Sequence, residues 1–182
     1  MRVWHERRGV LRRVSNVVLS WGFTFSFGIS GLLCFLVAGV DSRPASGPVS
    51  GAAACFFTVA VGRRFFGSRV VLGEQIVVIN PVFTYRIPCG AVVEARADAR
   101  GSLVILCGDG ATMYASAFGG ALMDHWVGST ARAAKAVNDY RRSAGKRSSS
   151  ASAVRSVTRA WTADVFLVAG VASAVAAVYL GM

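Results

Sequence analysis

Two histidines, four cysteines and nine carboxylates are the side chains here that could move protons, attack an electrophile or hold a metal. His5 lies in an arginine-rich tail, and His125 stands alone beside Trp126. A lone histidine next to an aromatic is far more often a packing or surface group than a base. Asp124 cannot orient it from a helix, because adjacent helical residues do not face each other. Cys34, Cys55, Cys89 and Cys107 form no CxxC pair and have no metal-ligand spacing. In a reducing cytosol they are expected as free thiols. The chain has no GxxxxGKS/T, HExxH or GxSxG motif. Gly119-Gly120 follows Phe118 without the strand and helix that turn a glycine loop into a phosphate cradle. The expectation is a protein that is not an enzyme and carries no cofactor and no metal.

The charge that remains is mostly arginine, and its placement suggests a surface rather than a reaction. The formal net charge is +11. Between residues 67 and 142, however, eight basic residues face six acidic ones. The surplus sits in residues 1–13, in Arg63-Arg64 and in residues 143–160. Basic residues beside a bilayer each gain about 1 kcal/mol from anionic lipid. Lys146, Arg147, Arg155 and Arg159 are therefore the candidate lipid-surface contacts. Ser148-Ser149-Ser150 beside Lys146-Arg147 would make an electrostatic switch if phosphorylated. A disordered tether is the preferred reading of that stretch. No aromatic–basic interleaving of a base-stacking platform occurs, so no nucleic acid is expected.

These groups have to be positioned by a chain that is 54% hydrophobic and 16% charged, which is apolar for an ordinary soluble domain. After a basic N-terminus, 1–13, residues Val14 to Val40 carry no charge and are long enough to span a bilayer. A signal peptide is the rival reading, but its apolar core is usually shorter. Val49 to Gly62 is a shorter apolar run, read as a second span against a re-entrant alternative, so 14–66 is expected as a transmembrane helical hairpin. Residues 67–142 form a polar-patterned domain, 143–160 a basic Ser-rich linker, and 161–182 a C-terminal transmembrane helix starting at Trp161. Asp164 falls in the first turn of that helix, where its carboxylate is favoured by the helix N-terminus. Of 20 Lys and Arg, only Arg43 lies between the first two spans. The positive-inside rule then places the N-terminus and the domain in the cytoplasm of a multi-pass protein of the cell (inner or plasma) membrane.

Within 67–142 the pattern is alternation. Arg69 to Leu72 meets Gln75 to Ile79 across Gly73-Glu74, which predicts a two-residue type II′ hairpin. Phe83 to Ile87, Val92 to Ala95, Ser102 to Cys107 and Ala111 to Ala115 read as further strands. A helix follows from Ser129 or Thr130 as N-cap to Arg142. Strands in sequence closed by one helix argue an α+β roll. The run Val78-Ile79-Asn80, Arg86-Ile87-Pro88, Gly101 to Ile105, Asp109-Gly110 and Ala117-Phe118 resembles the bacterial PH-domain membrane proteins of actinobacterial type, the low-molecular-weight protein antigen kind, over residues 60 to 142. The resemblance implies a PH-like β-roll with a C-terminal helix, attached here to three transmembrane α-helices. Cys89 stands where members of that family carry Trp. The acidic Glu74 in the first hairpin argues against the basic phosphoinositide site of eukaryotic PH domains.

Small residues recur every fourth position in the spans: Gly22, Ser26 and Ser30 on the first, and Ala169, Ser173 and Ala177 on the third. Such rows let helices approach closely in lipid, within one chain or in a homo-oligomer. Chance in an Ala- and Gly-rich chain explains them equally well. The expected partners are the membrane lipid bilayer and an unknown protein, which includes a second copy of the chain. The leading functional expectation is a module for protein interaction or self-association, docking an extended peptide on a strand edge or beside the helix. The alternatives are an anionic-lipid-binding sensor and an accessory subunit of a membrane complex.

Overall fold

The strands expected within residues 67–142 all form. A computed structural model describes residues 4–7, 9–40, 45–119, 128–144 and 152–181. The chain divides into two units: Met1–Val17 with Gly67–Thr158, and Val18–Phe66 with Arg159–Met182. In the first, β1 (Trp4–Arg7), β2 (Val10–Arg13), β3 (Arg69–Leu72), β4 (Gln75–Ile79), β5 (Phe83–Pro88) and β9 (Val154–Val157) make one antiparallel sheet, in the order β1-β2-β3-β4-β5-β9. β6 (Val92–Ala97), β7 (Leu103–Cys107) and β8 (Thr112–Ala115) make a second, three-stranded sheet. Helix α3 (Ser129–Ser143) packs on β6 and β7. The core is built from residues of β2 to β8, among them Leu11, Val70, Ile76, Val78, Ile87, Leu103 and Ile105, and is closed by Phe118, Ala133 and Val137.

The hairpins of the smaller sheet are fixed by glycines at positive φ. Gly101 (φ 74°) and Gly110 (φ 80°) each end a three-residue loop. In both, the glycine N–H donates to a carbonyl three residues back, at Asp98 and Cys107. This is the type I turn followed by a left-handed residue. Asp98 and Asp109 lock the loops, accepting from the amides of Arg100 and Ser102 and of Ala111. The Gly73-Glu74 hairpin differs from expectation. Leu72 pairs with Ile76, so three residues lie between the partners, and Gly73 is not among the positive-φ glycines. The predicted type II′ turn is not formed. Helix α3 also begins differently: Gly128, at φ 60°, is the N-cap, and Ser129 and Thr130 lie inside the first turn. The Thr130 hydroxyl instead donates to the Gly101 carbonyl at 2.8 Å.

The larger sheet takes in residues outside 67–142. The basic stretch 1–13 supplies β1 and β2, and β2 pairs with β3 through Val10–Val71 and Leu11–Val70. Arg13 is buried: its guanidinium donates to Thr130 Oγ1 and the Gly119 carbonyl and lies 5.7 Å from the Phe118 ring. The basic linker 143–160, preferred as a tether, supplies β9, which pairs with β5. Thr158 fastens it, donating its amide to Val82 and its hydroxyl to the Asn80 carbonyl.

In the second unit, α2 (Ser46–Phe66) gains nearly a turn at each end over the apolar run 49–62. At roughly 1.5 Å per residue, its 21 residues reach about 31 Å, the thickness of a bilayer's hydrocarbon core. With α1 (Val14–Val40) and α4 (Trp161–Gly181) it completes three helices long and apolar enough to cross a membrane. α2 runs antiparallel to α4, with Ser46 near Gly181 and Arg64 paired to Asp164. It also runs antiparallel to α1, with Phe56 against Gly31 and Gly62 against Phe23.

The hairpin β1–β2 docks through Gly9, which has φ 78° and accepts from the Leu72 amide. A Cβ there would lie 2.4 Å from the Leu72 carbonyl oxygen. Gly9→Ala should therefore cost about 1–3 kcal/mol and release the hairpin, read as faster tryptic cleavage after Arg12 in the otherwise folded chain. Asn138→Ala should cost a similar 1–3 kcal/mol, because it strips both backbone groups of buried Ala95 of their partner. The check is faster amide exchange along β6, with Lys135→Ala, at an exposed position on the same helix, as the neutral control.

Candidate functional site

An exposed strand edge is the simplest place for a peptide, and the inner edges of the two sheets are taken. On β6, Asn138 acts as a neighbouring strand residue would: its Oδ1 accepts from the Ala95 amide at 2.9 Å and its Nδ2 donates to the Ala95 carbonyl at 2.7 Å. Arg141 donates to the Val92 and Val93 carbonyls, where the ladder is irregular. On β8, Asn80 donates to the Tyr114 carbonyl and accepts from the Ser116 amide. On β5 the edge is covered by β9. β1 and β9 are left as the outermost strands of the larger sheet.

The opening lies instead where the β3–β4 turn, the end of β5 and the last turn of α3 converge. Gly73, Glu74, Gln75, Pro88, Cys89, Tyr140, Ser143 and Ala144 line a groove of about 540 Å³. The sequence folds this way because Tyr140 continues the buried stripe of α3 from Ala133 and Val137, which brings its hydroxyl to the Gly73 carbonyl at 2.9 Å. Cys89 Sγ lies 3.8 Å from the Gly73 carbonyl and 3.7 Å from that of Glu74. The polar character of the groove is acceptor: the Glu74 carboxylate, the turn carbonyls and the C-terminal end of a helix, whose dipole favours positive charge. Among the described residues no lysine or arginine lines it. Such a surface suits an arginine or lysine of a partner.

Chemistry by nucleophilic attack is not set up there. Burial pushes the Cys89 thiol up. Burial does the same to Cys107, with the Asp109 carboxylate adding to it. All four cysteines are free thiols. Among the described residues no three His, Cys, Asp or Glu side chains come together as metal ligands. His125 and Asp124 lie outside the described residues.

Lys146 and Arg147, with the serine triplet beside them, lie outside the described residues. Arg155 sits on β9 with its guanidinium 3.4 Å from the centre of the Phe83 ring, and Arg159 lies 5.7 Å from that of Trp161. Of the small-residue rows, that of the third span has Ser173 and Ala177 buried and Ala169 half-buried. On the first span Gly22, Ser26 and Ser30 are exposed, and the inward face carries Ser20 and Gly31 instead. Asp164 meets Arg64 at 2.5 Å. A separation of 100 residues hid that pair from sequence reading.

The raised thiols give a signed expectation. A thiol held neutral by the fold contributes stability below its unfolded pKa, and that contribution fades as pH climbs through the folded value. Iodoacetamide should therefore modify Cys89 and Cys107 much more slowly in the native chain than in the unfolded one at neutral pH, with the native rate rising only above the ordinary thiol range. Mass spectrometry of the modified peptides reads both. No family model, curated protein or solved structure matches this chain.

Proposed function

We propose that this chain is a non-enzymatic integral membrane protein that presents a PH-like module at the inner face of the cell membrane, for protein interaction or self-association. Two antiparallel sheets closed by one helix, α3, support the PH-like reading. Three apolar helices support the membrane placement. Arg63, Arg64 and Arg159, at the end of α2 and just before α4, favour a cytoplasmic location for that end. The observation that carries the interaction reading is the acceptor-lined groove at Glu74, Cys89 and Tyr140, open while the inner strand edges are occupied. Its partner segment is extended and carries a basic residue against Glu74.

The test is site-specific photo-crosslinking of the full chain in its membrane. A photoreactive amino acid at Ser143 should give a discrete protein adduct, and Glu74→Arg should abolish it by opposing the incoming basic residue. A reporter at Lys135, on the exposed face of α3, should give none. If the Ser143 reporter gives no adduct, or Glu74→Arg leaves the adduct unchanged, the groove is not where a partner binds.

A further inference from the structure

The register of the larger sheet gives its two ends different characters. Leu11 lies opposite Val70, Arg69 opposite Ile79, Ile79 opposite Thr84 and Phe83 opposite Val157. One end therefore gathers the close of β2, β4 and β9 and the start of β3 and β5. The β3–β4 turn, with the groove beside it, lies at the other end. Each of the three connections to an apolar helix leaves from the first end. Arg13 runs straight into α1, β3 begins three residues after α2, and β9 ends four residues before α4. The first turn of α1 belongs to the sheet-bearing unit itself, where Asn16 donates to the Ala117 carbonyl. Trp161 opens α4, and tryptophan is enriched at the headgroup level of a bilayer. Four residues reach about 14 Å at full extension.

The tip of that end is the loop between β4 and β5, and its polar groups are used within the unit. The Asn80 side chain donates to the Tyr114 carbonyl and accepts from the amide and hydroxyl of Ser116. The Asn80 amide donates to the Phe83 carbonyl, and its carbonyl accepts from the Thr158 hydroxyl. The Val82 carbonyl accepts from the Thr158 amide. What the tip turns outward is apolar: Val82 is 54% exposed, and Val157, next to the Thr158 that holds Val82, is 74% exposed. Protein interfaces are laced with hydrogen bonds. The boundary between headgroups and acyl chains asks only for apolar surface.

We propose that the β4–β5 loop and the end of β9 form a bilayer-contacting tip, with Val82 and Val157 seated at the headgroup–acyl boundary of the membrane that the helices cross. The occupant is the bilayer because all three connections to the spans leave from this end and the shortest has no intervening residue. The end that carries the Glu74 groove is thereby held away from the lipid. The tip rests on the membrane placement proposed above, and not on the groove having a partner.

Emission quenching of the full chain in phosphatidylcholine vesicles tests it, with a nitroxide placed either on the lipid headgroup or deep in the acyl chain. A fluorescent amino acid at Val82 should lose about half its emission to the headgroup label and little to the deep one. The same reporter at Ile29, near the middle of α1, should be quenched by the deep label. At Gln75, exposed at the opposite end of the sheet, neither label should quench it. Val157→Asp should reduce the headgroup quenching at Val82 several-fold, whereas Val157→Leu should keep it and guards against a folding defect. No headgroup quenching at Val82 while Ile29 is quenched would overturn the tip and leave the membrane placement standing. No quenching at Ile29 would overturn both. Headgroup quenching that Val157→Asp leaves unchanged would also overturn the tip, because the short connections alone would then bring the loop close to lipid. So would a Val82 reporter shielded from both lipid labels and from aqueous iodide, since a protein such as a second copy would then cover it.

Discussion

A buried amide or carbonyl without a partner costs about as much as a whole hydrogen bond contributes, and more when water is excluded. Sheets concentrate that liability at their edges. In this protein the sheet-bearing unit meets it with side chains and borrowed strands. Asn138 substitutes for a strand residue opposite Ala95, Arg141 takes two carbonyls at the irregular start of β6, and Asn80 closes part of β8. The larger sheet recruits β2 and β9 from segments that flank the membrane helices. Helix α3 is therefore more than a lid on the core: its polar residues finish the edge that its apolar residues cover.

The parts of the fold that were legible in the sequence are those in which burial writes a period. β3 and β4 are short β-branched runs bounded by turn residues, β8 alternates, and α3 repeats its apolar residues at helical spacing. β9 was invisible because none of Val154 to Val157 is buried, so nothing in its pattern separates it from a linker. β2 was hidden by charge: its inward positions are Leu11 and Arg13, and a buried arginine reads as a basic tail until its partners, more than a hundred residues on, are known. The turn at Gly73 misled for a related reason. The dipeptide favours one hairpin type, but the pairing of Gln75 with Pro88 and of Ile76 with Leu72 sets another loop length. The convergence of three elements around Cys89 and Tyr140 left no local pattern to read.

The membrane unit rests on exchanges of size between neighbours. Glycines at 31, 62 and 170 each sit against a phenylalanine ring, from Phe56, Phe23 and Phe57. Dispersion contacts of this kind matter in lipid, where helices have no hydrophobic reason to prefer one another. The Arg64–Asp164 pair adds a charge-matched register between α2 and α4. The row Gly22, Ser26 and Ser30 points away from both neighbours, so composition alone accounts for it within one copy.

The connectivity of the larger sheet also orders events during synthesis. β2 is made early, but its partner β3 comes only after both α1 and α2 have been translated, as Val10 opposite Val71 requires. β5 waits longer still for Val157, which emerges just before the last apolar helix. Pairings this distant in sequence form slowly and leave open edges while they are incomplete. The sheet can therefore close only after the two long apolar helices between β2 and β3 have been made.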